Sequence, residues 1–330
     1  MEFNRDANID TSQIRDVRGS RGGGGGFGGG FGGRGGGLPI PLPRGAGGNM
    51  GCLGVVGLVI FLVLQFVNIG GGSSDGGGSS QGSGGIDTSN VDAGDSGDNI
   101  ASCATDPNAV ERDDCRLALV VNSVQAFWSG YLPENTPQAI EYRPAITQLY
   151  TQGTNTGCGQ ASSAVGPFYC PSDETVYIDM SFFDTMLTQL GAQDVPFVQA
   201  YVVAHEYGHH IQNILGILEQ GQSMGQQGPD SGAVRIELMA DCLAGVWANH
   251  ATGTTDQSGV QIITEITDED IQSGLQAAQA IGDDNIQSQS GGPVNPESFT
   301  HGTSEQRYNW FKTGIDTGDM AQCDTFSGNI

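Results

Sequence analysis

The chain has 330 residues, a formal net charge of −25 and 54 glycines, of which 31 fall in the first 100 positions. Residues 51–330 carry 33 acidic against six basic side chains, which argues against nucleic acid as a partner, because phosphate contacts need Lys and Arg. The first hundred residues hold too few apolar side chains to offset the entropy of ordering, which leaves about 230 residues for one sizeable core or two small ones.

Residues 1–49 read as a disordered Gly/Arg-rich tail, with a short polyproline-type stretch over 38–43. Residues 50–69 form an uncharged, largely apolar run of 20, which roughly matches a ~30 Å hydrocarbon core at helical rise. The run exceeds the h-region of a signal peptide and no A-x-A-like site follows it, so it predicts an uncleaved transmembrane anchor. Six arginines precede it. Asp75, Asp87, Asp92, Asp95 and Asp98 follow, with no basic residue until Arg112. The positive-inside rule then places the N-terminus in the cytoplasm and the acidic domain outside. Residues 70–100, rich in Gly, Ser and Asp, read as a flexible tether to a domain over 101–330.

Of the seven cysteines, Cys52 lies in the apolar run and six lie beyond it. An even number in an exported domain suggests disulfides. Short loops favour Cys103–Cys115 and Cys158–Cys170, which leaves Cys242–Cys323. No C-x-x-C pair is present, which argues against a structural zinc site.

Along the domain, residues 116–129 show helical spacing of apolar side chains. Residues 142–150 suggest a strand, and 153–166 a loop. Residues 175–180 alternate and are rich in β-formers. A helix is expected over 181–190, and a long one over 197–218, with breaks conceivable at Gly208 or Gly216. Residues 220–232 read as a loop and 234–250 as a further helix. Acidic residues after Thr267 mark a helix start, and Thr303 and Gln306 stand at capping-box spacing. The expected class is α+β, mainly helical.

His205-Glu206-Tyr207-Gly208-His209 is an H-E-x-x-H pattern. On a helix, i and i+4 share a face, so His205 and His209 can hold one metal ion while Glu206 reaches a water beside it. The apolar approach Tyr201-Val202-Val203-Ala204 would bury this turn, where two His and a Glu are costly unless something satisfies them. Zinc needs a third protein ligand. Gln212 and Leu215 stand where a metzincin would have Gly and His, so that pattern fails. Downstream, Glu237 completes a His2Glu set, and Asp241 one turn later either fixes a ligating His through its second N–H or serves as the ligand instead.

These runs, together with residues 155–159, 166–171 and 299–303, resemble the bacterial putative neutral zinc metallopeptidase family over nearly all of residues 100–325. The resemblance implies a zincin-like, membrane-anchored peptidase with Zn2+ as cofactor and a peptide or protein as substrate. Zinc held by His205, His209 and Glu237 would activate water, with Glu206 as general base. The strand over 175–180 would be the edge strand that pairs with substrate. His301, in a Gly-containing turn, is the best candidate to stabilise the oxyanion. His250 reads as a helix C-terminal residue, and His210 points off the metal face. The competing reading is a zinc-stabilised scaffold without hydrolysis. A third is hydrolysis of a cell-wall peptide.

Overall fold

The computed structural model describes residues 1–19, 99–183 and 189–330, which form a mixed α+β body dominated by helices. Helix α1 (Asp113–Glu134) is buried on nearly every face between Leu117 and Val124, as expected of a central core helix. Helix α2 (Pro196–Ile214) packs on α1, and Pro at its start presets the first turn. The long helix expected over 197–218 breaks at Gly216, whose φ of 73° is left-handed and lets a short helix, α3 (Ile217–Gln222), start in a new direction.

Helix α4 (Gly232–His250) begins at Ser231, whose hydroxyl caps Val234 N–H at 3.3 Å. Helix α5 (Asp268–Ala280) carries a capping box between Thr267 and Asp270. A short α6 (Asp283–Gln289) follows, and α7 (Ser304–Thr317) opens on the expected Thr303/Gln306 capping box. Helices α4 and α7 meet backbone to backbone. A Cβ on Gly314 would collide with the carbonyl of Cys242, and one on Gly245 with that of Phe311. This approach sets the depth at which α7 presents Arg307 to α4.

The main sheet has the order β2-β3-β7-β6, with β2 (Ile14–Asp16), β3 (Ile146–Tyr150) and β7 (Thr175–Asp179) parallel and β6 (Phe168–Cys170) antiparallel. The strand expected over 175–180 is therefore central, flanked by β3 and β6, and is not the edge strand. The edge facing α2 is β6. Its three residues were too short a run to stand out in the sequence. The loop expected over 153–166 is instead a hairpin, β4 (Gly153–Thr156) with β5 (Gly159–Ser162). Its polar, glycine-containing strands lack the apolar alternation that marks a strand. All three expected disulfides are present: Cys103–Cys115, Cys158–Cys170 and Cys242–Cys323.

The expectation of a disordered tail fails for residues 1–19. Strand β1 (Glu2–Phe3) pairs with β8 (Ile263–Glu265), and β2 extends the main sheet. Ile14 is buried in the core. These residues fold because their apolar and polar side chains are matched by the body of the domain, a long-range fit that composition does not reveal. The rest of that tail, the expected anchor over 50–69 and nearly all of the tether lie outside the described residues. Among the described residues, no helix is long and apolar enough to cross a membrane.

Candidate metal centre

His205 and His209 stand one turn apart on α2, and Glu237 reaches them from α4. His205 Nε2 lies 3.2 Å from Glu237 Oε2, and His209 Nε2 lies 3.5 Å from Oε1. One ligand atom from each of the three falls within 4.8 Å of the others. Glu237 does not pair with Arg235, whose guanidinium instead donates to the carbonyls of Asp230, Thr325 and Gly328.

The second nitrogen of each ring is already committed. His205 Nδ1 donates to Asp241 Oδ1 at 2.9 Å. His209 Nδ1 donates to Gln212 Oε1 at 2.8 Å, and the Gln212 amide is oriented by its own bond to the Ile236 carbonyl at 2.6 Å. In the neutral rings both Nε2 atoms are then lone-pair acceptors, and they face a carboxylate. Three acceptors converging on one buried point call for a cation. The electrostatics agree. Burial disfavours a charged His205, yet Asp241 and Glu237 outweigh it and bring the ring up to about 10, so positive charge is favoured at this point, carried by a proton on Nε2 or by a cation that takes its place. Burial likewise pushes the Glu237 carboxyl up, but His209, His205 and His301 hold it well below the usual range. A His2Glu donor set of this kind fits zinc.

Asp241 is fully buried and lies outside the converging trio. It accepts from His205, from Tyr201 Oη at 2.6 Å and from Arg307 Nε and Nη2, each at 2.8 Å. Glu206 sits on α2 beside the trio and is 7% exposed. Burial lifts its carboxyl above the usual range, against the pull of His209, His205 and the backbone N–H of Tyr169 on β6.

His301, in the turn before α7, joins this neighbourhood: its charge acts on Glu237. The fully buried side of that turn is organised by Asp283. Its Oδ2 accepts the backbone N–H of Thr300 and of His301 at 2.7 Å and of Gly302 at 3.1 Å, while Oδ1 lies 3.3 Å from His301 Nδ1. Burial opposes a charged His301, but Asp283 and Glu237 raise its pKa. His250 lies elsewhere, in the last turn of α4, where its Nε2 donates to the Gly318 carbonyl at 2.9 Å. His210 points off the trio as expected, but it is not idle. Nε2–H donates to the Arg143 carbonyl at 2.6 Å, and Nδ1 accepts from Tyr169 Oη at 2.9 Å.

Sequence reasoning missed Tyr201, Arg307, Asp283, Gln212 and Tyr169. Tyr201 had a signal, since 201, 205 and 209 form one helical stripe. Arg307 had a weaker one, as a rare base in an acidic region. Asp283 had none.

The family model for putative neutral zinc metallopeptidases matches residues 3–326. An uncharacterized protein of Mycobacterium tuberculosis, Rv2575, is 44% identical over 232 residues, covering 70% of this chain and 76% of its own. The uncharacterized protein YpfJ of Escherichia coli is 45% identical over 193 residues, covering 57% of this chain and 64% of its own. No solved structure matches. With the match running from the first strand to the last turn, the chain belongs to the putative neutral zinc metallopeptidase family.

Proposed function

We propose that the chain is a zinc-dependent peptidase with a zincin-type site, in which His205, His209 and Glu237 hold the metal. The observation that carries the reading is the buried convergence of these three acceptors with Glu206 alongside, a carboxylate that a purely structural metal site does not need. Bound zinc supplies a Lewis acid that brings the pKa of water to about 7 and polarises a peptide carbonyl. Glu206 accepts the proton of the attacking water and returns it to the leaving amine nitrogen as the C–N bond breaks. Burial, which raises its proton affinity, suits it to both halves of that transfer. His301, held by Asp283, donates to the carbonyl oxygen as negative charge develops there. The substrate is an extended peptide that pairs with the open edge of β6, whose central residue, Tyr169, acts through its backbone N–H on the Glu206 carboxyl.

The test is zinc content and peptide hydrolysis of the full chain beside Glu206→Gln. Wild type should bind one zinc and cleave, and the variant should keep its zinc and lose about 10²–10⁴-fold in kcat. A wild-type protein that binds zinc stoichiometrically and cleaves nothing across a broad peptide library would leave the scaffold reading in its place.

A further inference from the structure

The N-terminal residues and the zinc-site domain, which stand on either side of the apolar run over 50–69, are built into one body. Strand β2 lies in register with β3, pairing Ile14 with Thr147, Arg15 with Gln148 and Asp16 with Leu149. The ladder continues through Val17 N–H to the Leu149 carbonyl at 2.9 Å, and Asn4 N–H reaches the Ile262 carbonyl at 2.9 Å. The side chains are as closely matched. Helix α1 is apolar on most of its surface, yet it carries two buried amides, Asn122 and Gln125. Asn122 Oδ1 accepts the backbone N–H of Asp10 at 2.8 Å, and its Nδ2 donates to the Asp10 carbonyl and to Gln13 Oε1, each at 3.0 Å. Gln125 donates to the same Gln13 oxygen at 3.0 Å. Buried amides cost free energy unless they are paired, so the core helix is written to receive residues 10–13. The family match also begins at residue 3, on the far side of the apolar run from the metal site.

We infer that residues 1–19 and the zinc-site domain over 99–330 occupy the same side of any membrane. A β-ladder and a set of buried amide pairs cannot form through a hydrocarbon core about 30 Å thick. A chain that leaves and rejoins one folded body crosses a bilayer an even number of times or not at all. Two helical crossings need roughly 40 apolar residues, twice the length of this run. The charge argument for the opposite orientation also loses force. Of the six N-terminal arginines, Arg5 is paired with Glu111, Arg18 with Asp16 and Asp114, and Arg15 donates to Gln148 at 3.3 Å. Two of the six positive charges that would orient an anchor are thus ion-paired, and a third arginine is held, by the folded body itself.

The inference is independent of the metal chemistry and is tested on the full chain with Cys52→Ser as background, the other six cysteines being paired. Asn8 and Ser258 are both exposed, and Asn8 Nδ2 lies 3.1 Å from Ser258 Oγ. Single Asn8→Cys and Ser258→Cys chains are labelled in sealed cells with a membrane-impermeant maleimide, before and after permeabilisation. Both positions should show the same sidedness, and a short bismaleimide should cross-link the doubly substituted chain in high yield. Labelling of the two positions from opposite sides overturns the inference. So does failure to cross-link in a chain whose domain remains protease-resistant.

Discussion

Asp241 Oδ1 accepts the Nδ1 proton of His205 at 2.9 Å while both oxygens of the same carboxylate are gripped by Arg307. Burial would push this carboxyl up, but Arg307 and His205 hold it below the usual range. It therefore stays ionised, fixes the tautomer of His205 and makes Nε2 a better donor to a cation. Arg307, 3% exposed in its side chain, depends on the same carboxylate for its own charge balance. Glu237→Ala should abolish stoichiometric zinc binding. Asp241→Ala should weaken it by roughly 10–100-fold and, in addition, destabilise the fold by about 3–5 kcal/mol, because a buried guanidinium is left unpaired. Zinc titration and denaturant unfolding of the two variants separate the roles. A more severe zinc loss for Asp241→Ala than for Glu237→Ala would reverse the assignment.

His301 depends on Asp283 in the way His205 depends on Asp241. If the ring donates to charge that develops only in the transition state, its loss lowers kcat and leaves KM nearly unchanged. His301→Ala should cost about 10²–10³-fold in kcat at unchanged zinc content. Asp283→Asn should cost less and should bring the alkaline limb of kcat to lower pH, since the carboxylate raises the His301 pKa and the protonated ring is lost as pH rises through that value. Wild-type kcat in His301→Ala, measured by steady-state kinetics on one peptide, would remove the residue from the reaction.

The juxtaposition of His205 with His209 was legible because it is local. Helical periodicity places 205 and 209 on one face, and the same reasoning places 237 and 241 one turn apart. The disulfides were legible because two of them close short loops. What stayed hidden is what tertiary folding brings together. Asp283 reaches His301 across 18 residues, and Arg307 reaches Asp241 across 66, with no local pattern to announce either. The edge strand was misplaced because β6 is three residues long whereas β7 has the stronger β-pattern. Residues 1–19 were misread because the glycine tract that follows them dominates the composition of the whole N-terminus, while their structure depends on partners more than 100 positions away.

His210 and Tyr169 form the clearest link between α2 and the edge strand β6. Burial pushes the Tyr169 phenol up and the His210 imidazole down, so the phenol donates to a neutral ring. Asn213 Nδ2 donates to the phenol oxygen at 3.0 Å, which completes the anchor. The backbone N–H of Tyr169 acts on the Glu206 carboxyl, so its side-chain anchor helps set the distance between Glu206 and the strand. Tyr169→Phe removes both hydrogen bonds of the phenol, each worth about 0.5–1.5 kcal/mol, and should lower kcat/KM by roughly tenfold on long peptides, with zinc retained. Equal kcat/KM for wild type and variant would reduce the contact to a structural one.

Docking of the N-terminal residues should itself depend on pH. Asp16 and Asp114 both receive Arg18, and Asp114 also receives Arg112. Burial would raise both carboxyls, but the guanidiniums outweigh it and lower each from an ordinary value of 3.8. A carboxyl whose folded pKa is depressed contributes stability above its unfolded pKa, and the contribution fades as pH falls through the folded value. Hydrogen exchange of the β2 amides should therefore stay slow from pH 7 to 5 and quicken below about 4, after correction for intrinsic rates, before the core helices open. Arg18→Met should quicken it at neutral pH and flatten its dependence in acid, because Asp16 loses the partner that lowered it while Asp114 keeps Arg112. Protection in β2 that is insensitive both to acid and to this substitution would show that strand pairing and the Asn122 contacts hold the segment without the ion pairs.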